Sequence, residues 1–103
     1  MGFSDKLIIG GKLKSPGEII EILKEGTRVF GVYLICINKG AKNIFEIISS
    51  VEFSKPIYTG KDYLVIGVAE NKKEAAAIIE SLLKEYYSAP RNEPLKKYFL
   101  RKY

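Results

Sequence analysis

Two apolar runs constrain the fold of this chain more than any other feature of its sequence. One extends from Val29 to Ile37 and is rich in β-branched and aromatic residues, and the other extends from Tyr63 to Ala69. Runs of this kind are typical of strands buried on both faces, which occur in sheets that helices cover on each side. The sequence therefore predicts a covered sheet, with the Val29 to Ile37 segment as its central strand.

The first helix is predicted after Ser15. Serine caps helices, Pro16 suits the first helical position because it has no N–H to leave unpaired, and Glu18 completes a capping box. Gly26 is expected to end this helix. A preceding strand is predicted over 6–13, ending or bending at its glycines.

Two more helices follow from the spacing of apolar residues. Ile44, Ile47, Ile48 and Val51 recur at helical intervals, which predicts a second helix over 41–52. A third helix is predicted to begin after Asn71, which has Glu74 three residues further on as a capping-box partner.

The remaining strand is predicted at the edge of the sheet. Proline is tolerated in edge strands, so Pro56 to Tyr58 fits that position, and Thr59 to Asp62 is expected to turn into the next strand. The element order is then βαβαββα. This order predicts a small α/β layered sheet that is mostly parallel, with a short antiparallel edge strand. A ferredoxin-like fold is the main rival, because a hairpin near residues 58–63 would add antiparallel pairing.

The chain is expected to form one domain with a basic tail. A length of 103 residues suits a single α/β domain, assigned to residues 1–87. Prolines break the last long helix and mark residues 88–103 as an appendage rich in basic and aromatic residues. Five basic residues and one acidic residue give this tail a net charge of +4, out of +5 for the whole chain.

The rarest residue types exclude several kinds of chemistry. The sequence has no His, which removes Ser-His-Asp and Cys-His arrangements and most catalytic zinc sites, and its one cysteine, Cys36, lies in an apolar run typical of the core. No apolar run approaches the roughly 20 residues that a membrane helix needs. We therefore expect a cytoplasmic protein without metal or cofactor. The absence of Gln, His and Trp beside abundant Lys, Glu and Ile is a thermophile-like composition.

Glycines and lysines follow the predicted strands and indicate a first candidate site. Ligands of open α/β sheets bind beyond the carboxyl ends of the strands, where glycines admit a phosphate and helix N-termini offer free N–H groups. No phosphate-loop motif is present, because Lys6 stands where the first glycine of that motif belongs. The same residues can also form only a turn and a cap. The predicted anion-binding residues are Gly10, Gly11, Lys12, Lys14, Ser15, Lys39 and Asn71.

The tail is the second candidate site. Basic residues among aromatic ones bind phosphates and stack on unpaired bases, which would suit RNA or single-stranded DNA. The interpretation we favour is that the apolar side chains dock on this domain or on a neighbouring subunit. The residues assigned to partner or nucleic-acid contact are Arg91, Lys96, Lys97, Tyr98, Phe99, Arg101 and Lys102.

These observations favour a small non-enzymatic binding or assembly module that associates with itself, most simply as a dimer. Short chains gain stability by sharing apolar surface, and symmetric dimers are the commonest oligomers. A phosphate-bearing ligand at the carboxyl edge is a further expectation. Nucleic-acid binding through the tail is the alternative, and an enzyme that acts on a phosphorylated small molecule is the third interpretation.

Overall fold

A computed structural model describes residues 2–26, 29–40, 43–53, 55, 62–89 and 92–103 of the chain. These ranges form a small α/β fold with one four-stranded mixed sheet and four helices. In chain order the elements are β1 (Gly2–Ile9), α1 (Pro16–Lys24), β2 (Tyr33–Asn38), β3 (Glu46–Ser49), α2 (Ser50–Phe53), β4 (Tyr63–Ala69), α3 (Lys72–Tyr87) and α4 (Leu95–Lys102). Every helix in the described ranges is too short or too polar to cross a bilayer.

The two apolar runs are adjacent inside the sheet, whose strand order is β1-β4-β2-β3. Strand β4 pairs parallel with β1 and antiparallel with β2, and β2 pairs antiparallel with β3. Two of the three pairings are therefore antiparallel, and the prediction of a mostly parallel sheet is wrong. The chain between β2 and β3 is too short for the helical crossover that a parallel neighbour requires, so the two strands run in opposite directions.

The predicted second helix over 41–52 is wrong over residues 43–49, and only residues 50–52 of its described part are helical. Residues 46–49 form β3, where Ile47 pairs with Ile35 and Ile48 with Leu34. Ile47 and Ile48 belong to the cores on opposite sides of the sheet, and a strand covered on both faces puts apolar residues at consecutive positions. Such a short apolar run fits a helix and a strand equally well by spacing alone. Helix α2 is the single helical turn that follows.

Several strand boundaries also differ from the prediction. Strand β1 ends before Gly10 and occupies 2–9 instead of 6–13, and β2 begins at Tyr33 because residues 29–32 form a turn. Strand β4 has the predicted bounds. The predicted edge strand at Pro56 to Tyr58 and most of the turn after it lie outside the described residues. The described elements do not match the predicted order βαβαββα, because β3 takes the place of most of the predicted second helix.

The two faces of the sheet are covered by different elements. Helix α1 covers one face, where Leu23 packs with Leu34 and Val65. Helices α3 and α4 cover the other face, where Leu82 and Phe99 pack with Ile35, Ile37 and Ile66. This second cover includes five residues from the basic tail that are buried or half-buried, namely Leu95, Tyr98, Phe99, Leu100 and Tyr103.

Candidate functional site

The carboxyl ends of β1 and β4 form one edge of the sheet because these strands are parallel. The backbone N–H of Gly10 donates to the carbonyl of Val68 at 2.8 Å, and Leu13 closes a turn onto the carbonyl of Gly10 at 3.1 Å. This turn lies beside Asn71 at the start of α3. The structure thus brings Gly10, Gly11 and Lys12 close to Asn71, as the sequence predicts.

A carboxylate of the chain itself occupies the centre of this edge. Glu74 Oε2 accepts from the backbone N–H of Lys12 at 3.1 Å, and Oε1 accepts from the backbone N–H of Glu70 at 2.8 Å. A Cβ atom added to Gly10 would collide with Oε1, so glycine is what allows this close approach. The N–H groups expected to hold an external anion therefore bind an internal one.

The start of α3 explains why Glu74 reaches this position. Asn71 caps the helix as predicted, with Oδ1 accepting from the backbone N–H of Glu74 at 2.8 Å. In the described structure the Glu74 carboxylate accepts from the backbone N–H groups of Lys12 and Glu70 instead of closing a capping box onto Asn71. A cleft of about 290 Å³ remains beside it, lined by Lys12, Asn71, Lys73, Glu74 and Ala77.

Three other residues of the predicted anion site lie apart from this centre. Lys14 is exposed, and Ser15 has a left-handed backbone with φ of 50° and makes no side-chain cap bond, so its predicted capping role is wrong. Lys39 lies at the opposite end of the sheet, where its N–H donates to the carbonyl of Asp62 at 3.0 Å. Because β2 is antiparallel to β4, the chain after β2 cannot join the edge formed by β1 and β4.

The aromatic residues of the tail are buried in α4. Phe99 has no exposed surface and Tyr98 is 6% exposed. Their rings meet edge to face with a centroid distance of 4.9 Å, and Phe99 meets Phe45 in the same way at 5.1 Å. The Ser4 hydroxyl donates to the carbonyl of Tyr103 at 2.9 Å, which also ties the end of α4 to β1.

Two basic residues of the tail are paired with carboxylates of the same chain. Arg101 pairs with Glu93 and Lys102 with Glu85. The hydrogen bond and the charge of Glu93 raise the pKa of Arg101, and the hydrogen bond from Lys102 to Glu85 raises the pKa of Lys102. Lys96 is half-buried and Lys97 is exposed. Arg91 lies outside the described residues.

A turn over residues 29–32 carries an exposed aromatic side chain that the sequence pattern predicts inside the central strand. Phe30 is 80% exposed, the highest fraction among the large hydrophobic residues described. Ser50 holds the turn from both sides: its backbone N–H donates to Val32 O at 2.9 Å and its hydroxyl donates to Val29 O. Gly31 has φ of +73°, which favours glycine, and this residue within the apolar run was the signal for a turn.

A second cleft lies at the same end of the sheet as this turn. It has a volume of about 310 Å³ and is lined by Tyr33, Ile47, Ile48, Ser49, Glu52 and Lys72. Ser49 accepts from the backbone N–H of Glu52 at 3.2 Å, which fixes the first turn of α2, and Glu52 pairs with Lys55 at 2.8 Å. The cleft therefore combines the half-buried side chains of Tyr33 and Ile47 with polar Ser49 and with one acidic and one basic group.

Cys36 is a core residue. It has no exposed surface, and burial together with the nearby charge of Glu46 raises the pKa of its thiol. Among the residues that the structure describes, no three His, Cys, Asp or Glu side chains lie close enough to share a metal ion.

No protein-family model matches the chain, and neither the curated proteins nor the solved structures compared with it gave a match. The geometry of the described residues is therefore the basis for its function.

Proposed function

We propose that this chain is a small non-enzymatic assembly module of the cytoplasm that associates with itself. The proposal rests on the exposure of Phe30, a large aromatic side chain of which 80% is accessible to solvent. The turn that bears it is held in place by two hydrogen bonds from Ser50. A fixed aromatic side chain on a surface is typical of the residues that dominate protein interfaces.

The free energy of an exposed Phe supports this interpretation. Burying a Phe side chain favours folding or association by about 1.5–3 kcal/mol, and Phe30 gains almost none of this within its own chain. Because its turn is already ordered, little further conformational entropy is lost when a partner covers it. A second copy is the simplest partner, since symmetric dimers are the commonest oligomers.

The interactions within the tail make the nucleic-acid alternative less suitable. Stacking on bases needs exposed rings, and Tyr98 and Phe99 would become exposed only if α4 left the sheet. Two of the tail's cations would also have to leave Glu93 and Glu85 to meet phosphates.

A phosphate-bearing ligand at the carboxyl edge meets a similar obstacle. Such a ligand, or the substrate of an enzyme working there, would have to displace the Glu74 carboxylate from the N–H groups of Lys12 and Glu70. Lys12 and Lys73 line the cleft beside that carboxylate and supply the attraction for an anion that did so.

Light scattering over a range of protein concentrations tests self-association. The chain has a mass of 11.6 kDa, and we expect the measured mass to rise towards twice this value as concentration increases. A mass that stays at 11.6 kDa up to millimolar protein would contradict the proposal.

A further inference from the structure

We propose that the cleft lined by Tyr33, Ile47 and Lys72 receives Phe30 of a second copy of this chain, so that two copies exchange their Phe30 side chains across a two-fold axis. This inference rests on the proposed self-association and identifies its interface. The side chain that binds in the cleft thus comes from a second copy of the same chain.

The position of the two features permits the exchange. Phe30 precedes Tyr33 by three residues, so their Cα atoms lie at most about 11 Å apart. The projecting side chain and the cleft therefore share one end of the sheet. In an isologous dimer the same patch of both subunits meets, and each copy both inserts a side chain and receives one.

The size of the cleft admits an aromatic ring, and two of its lining residues offer apolar surface. Its volume is about 310 Å³, whereas a cavity of roughly 150 Å³ is enough for benzene. Ile47 and Tyr33 supply half-buried apolar surface for the ring to contact. A dimer of ordinary size buries about 800 Å² on each partner, which is roughly an eighth of the 6302 Å² that this chain exposes.

The charges at the cleft are complementary to those of a second copy. Lys72 has no ion-pair partner within the described ranges, and it stands at the first position of α3, where the helix dipole disfavours a cation. Glu52 lines the same cleft, and its ion pair with Lys55 is exposed and made through Oε2, so its other carboxylate oxygen can meet a second cation. A two-fold axis through this patch would let Lys72 of each copy approach Glu52 of the other, which would relieve the unfavourable position of Lys72.

The first test compares two exposed aromatic residues by light scattering and sedimentation. Phe30→Ser is expected to weaken dimerisation by about 30-fold or more, because central aromatic anchors dominate interfaces. Tyr87→Ser is the matched control: Tyr87 is 68% exposed at the other end of α3, and its loss is expected to leave the dimer intact. Circular dichroism should show that both variants are folded.

A charge exchange tests the orientation of the two copies. Lys72→Glu alone and Glu52→Lys alone are expected to weaken dimerisation several-fold, and the double variant Lys72→Glu/Glu52→Lys is expected to restore it. Since Lys72→Glu improves the match with the helix dipole, a loss of fold does not explain its effect.

The outcomes separate this inference from the function on which it rests. If the unaltered chain dimerises and Phe30→Ser dimerises equally well, the proposed interface is wrong while self-association stands. If both single charge variants weaken the dimer and the double variant restores nothing, the pairing of Lys72 with Glu52 is wrong. If the unaltered chain is monomeric at every concentration, both proposals fail.

Discussion

Helix α4 and the turn over residues 29–32 both carry aromatic side chains, which are buried in the helix and exposed in the turn. In α4, Phe99 has no exposed surface and two neighbouring cations are paired with carboxylates of the same chain. In the turn, Phe30 is 80% exposed although its sequence neighbours form an apolar run. Composition alone therefore does not identify an interaction surface. What matters is whether the contacts of a segment are already made within the chain.

The largest effect on stability is expected at Phe99, the buried member of this pair of aromatic residues. Phe99→Ala is expected to lower the free energy of unfolding by about 3–5 kcal/mol, because it leaves a cavity between α4 and the sheet. Phe30→Ala is expected to change it by no more than about 0.5 kcal/mol. Denaturant unfolding at low protein concentration measures both values without a contribution from dimerisation. Equal effects of the two variants would remove the distinction between the two segments.

A pH titration extends the test to β2, the strand that the exposed turn leads into. Because burial and Glu46 raise the pKa of the Cys36 thiol, the unfolded chain loses this proton at a lower pH than the folded chain. The free energy of unfolding is therefore expected to fall above about pH 9, by up to about 1.4 kcal/mol per pH unit. In Cys36→Ala the free energy of unfolding, measured with urea over the same pH range, should fall less steeply. An identical fall in both chains would mean that the thiol is not buried.

The smallest effect on stability is expected at the carboxyl edge, where a carboxylate of the chain itself occupies the N–H groups that an external anion would bind. Glu74→Ala is expected to cost about 1 kcal/mol, because it removes the acceptor of two backbone N–H groups near a helix N-terminus. Gly10→Ala should cost a similar amount by displacing the same carboxylate, and should cost much less in a chain that already carries Glu74→Ala.

Glu80→Ala is the matched control for that experiment. Glu80 lies on the same helix and forms an exposed ion pair with Lys84, so its loss is expected to change the free energy of unfolding by less than about 1 kcal/mol. Strictly additive effects of the Gly10 and Glu74 substitutions would show that the glycine and the carboxylate act independently.

Local signals predicted several parts of the fold. Strand β4 has the predicted bounds because an apolar run of that length between polar residues fits few other structures. Helix α3 begins where Asn71 predicts, since a cap depends on neighbouring atoms only. The helix predicted for the short run around Ile47 is wrong because the spacing of that run fits a helix and a doubly covered strand equally well. Only pairing with β2 selects the strand.

The candidate site was less predictable because its geometry also depends on how distant segments pair. Proximity of Gly10 to Asn71 followed from two strands ending at one edge, but the separation of Lys39 from them depends on the antiparallel direction of β2. The role of Glu74 depends on contacts across 62 residues, a separation that no motif encodes.

Which segments are apolar enough to form the sheet, and where local caps begin a helix, can be read from the sequence because these properties depend on residues close together in the chain. The direction of each strand, the burial of Phe99 and the exposure of Phe30 follow from tertiary contacts instead. These three outcomes depend on distant segments competing to cover the same apolar surface, and the free energy of that competition is not contained in any one segment.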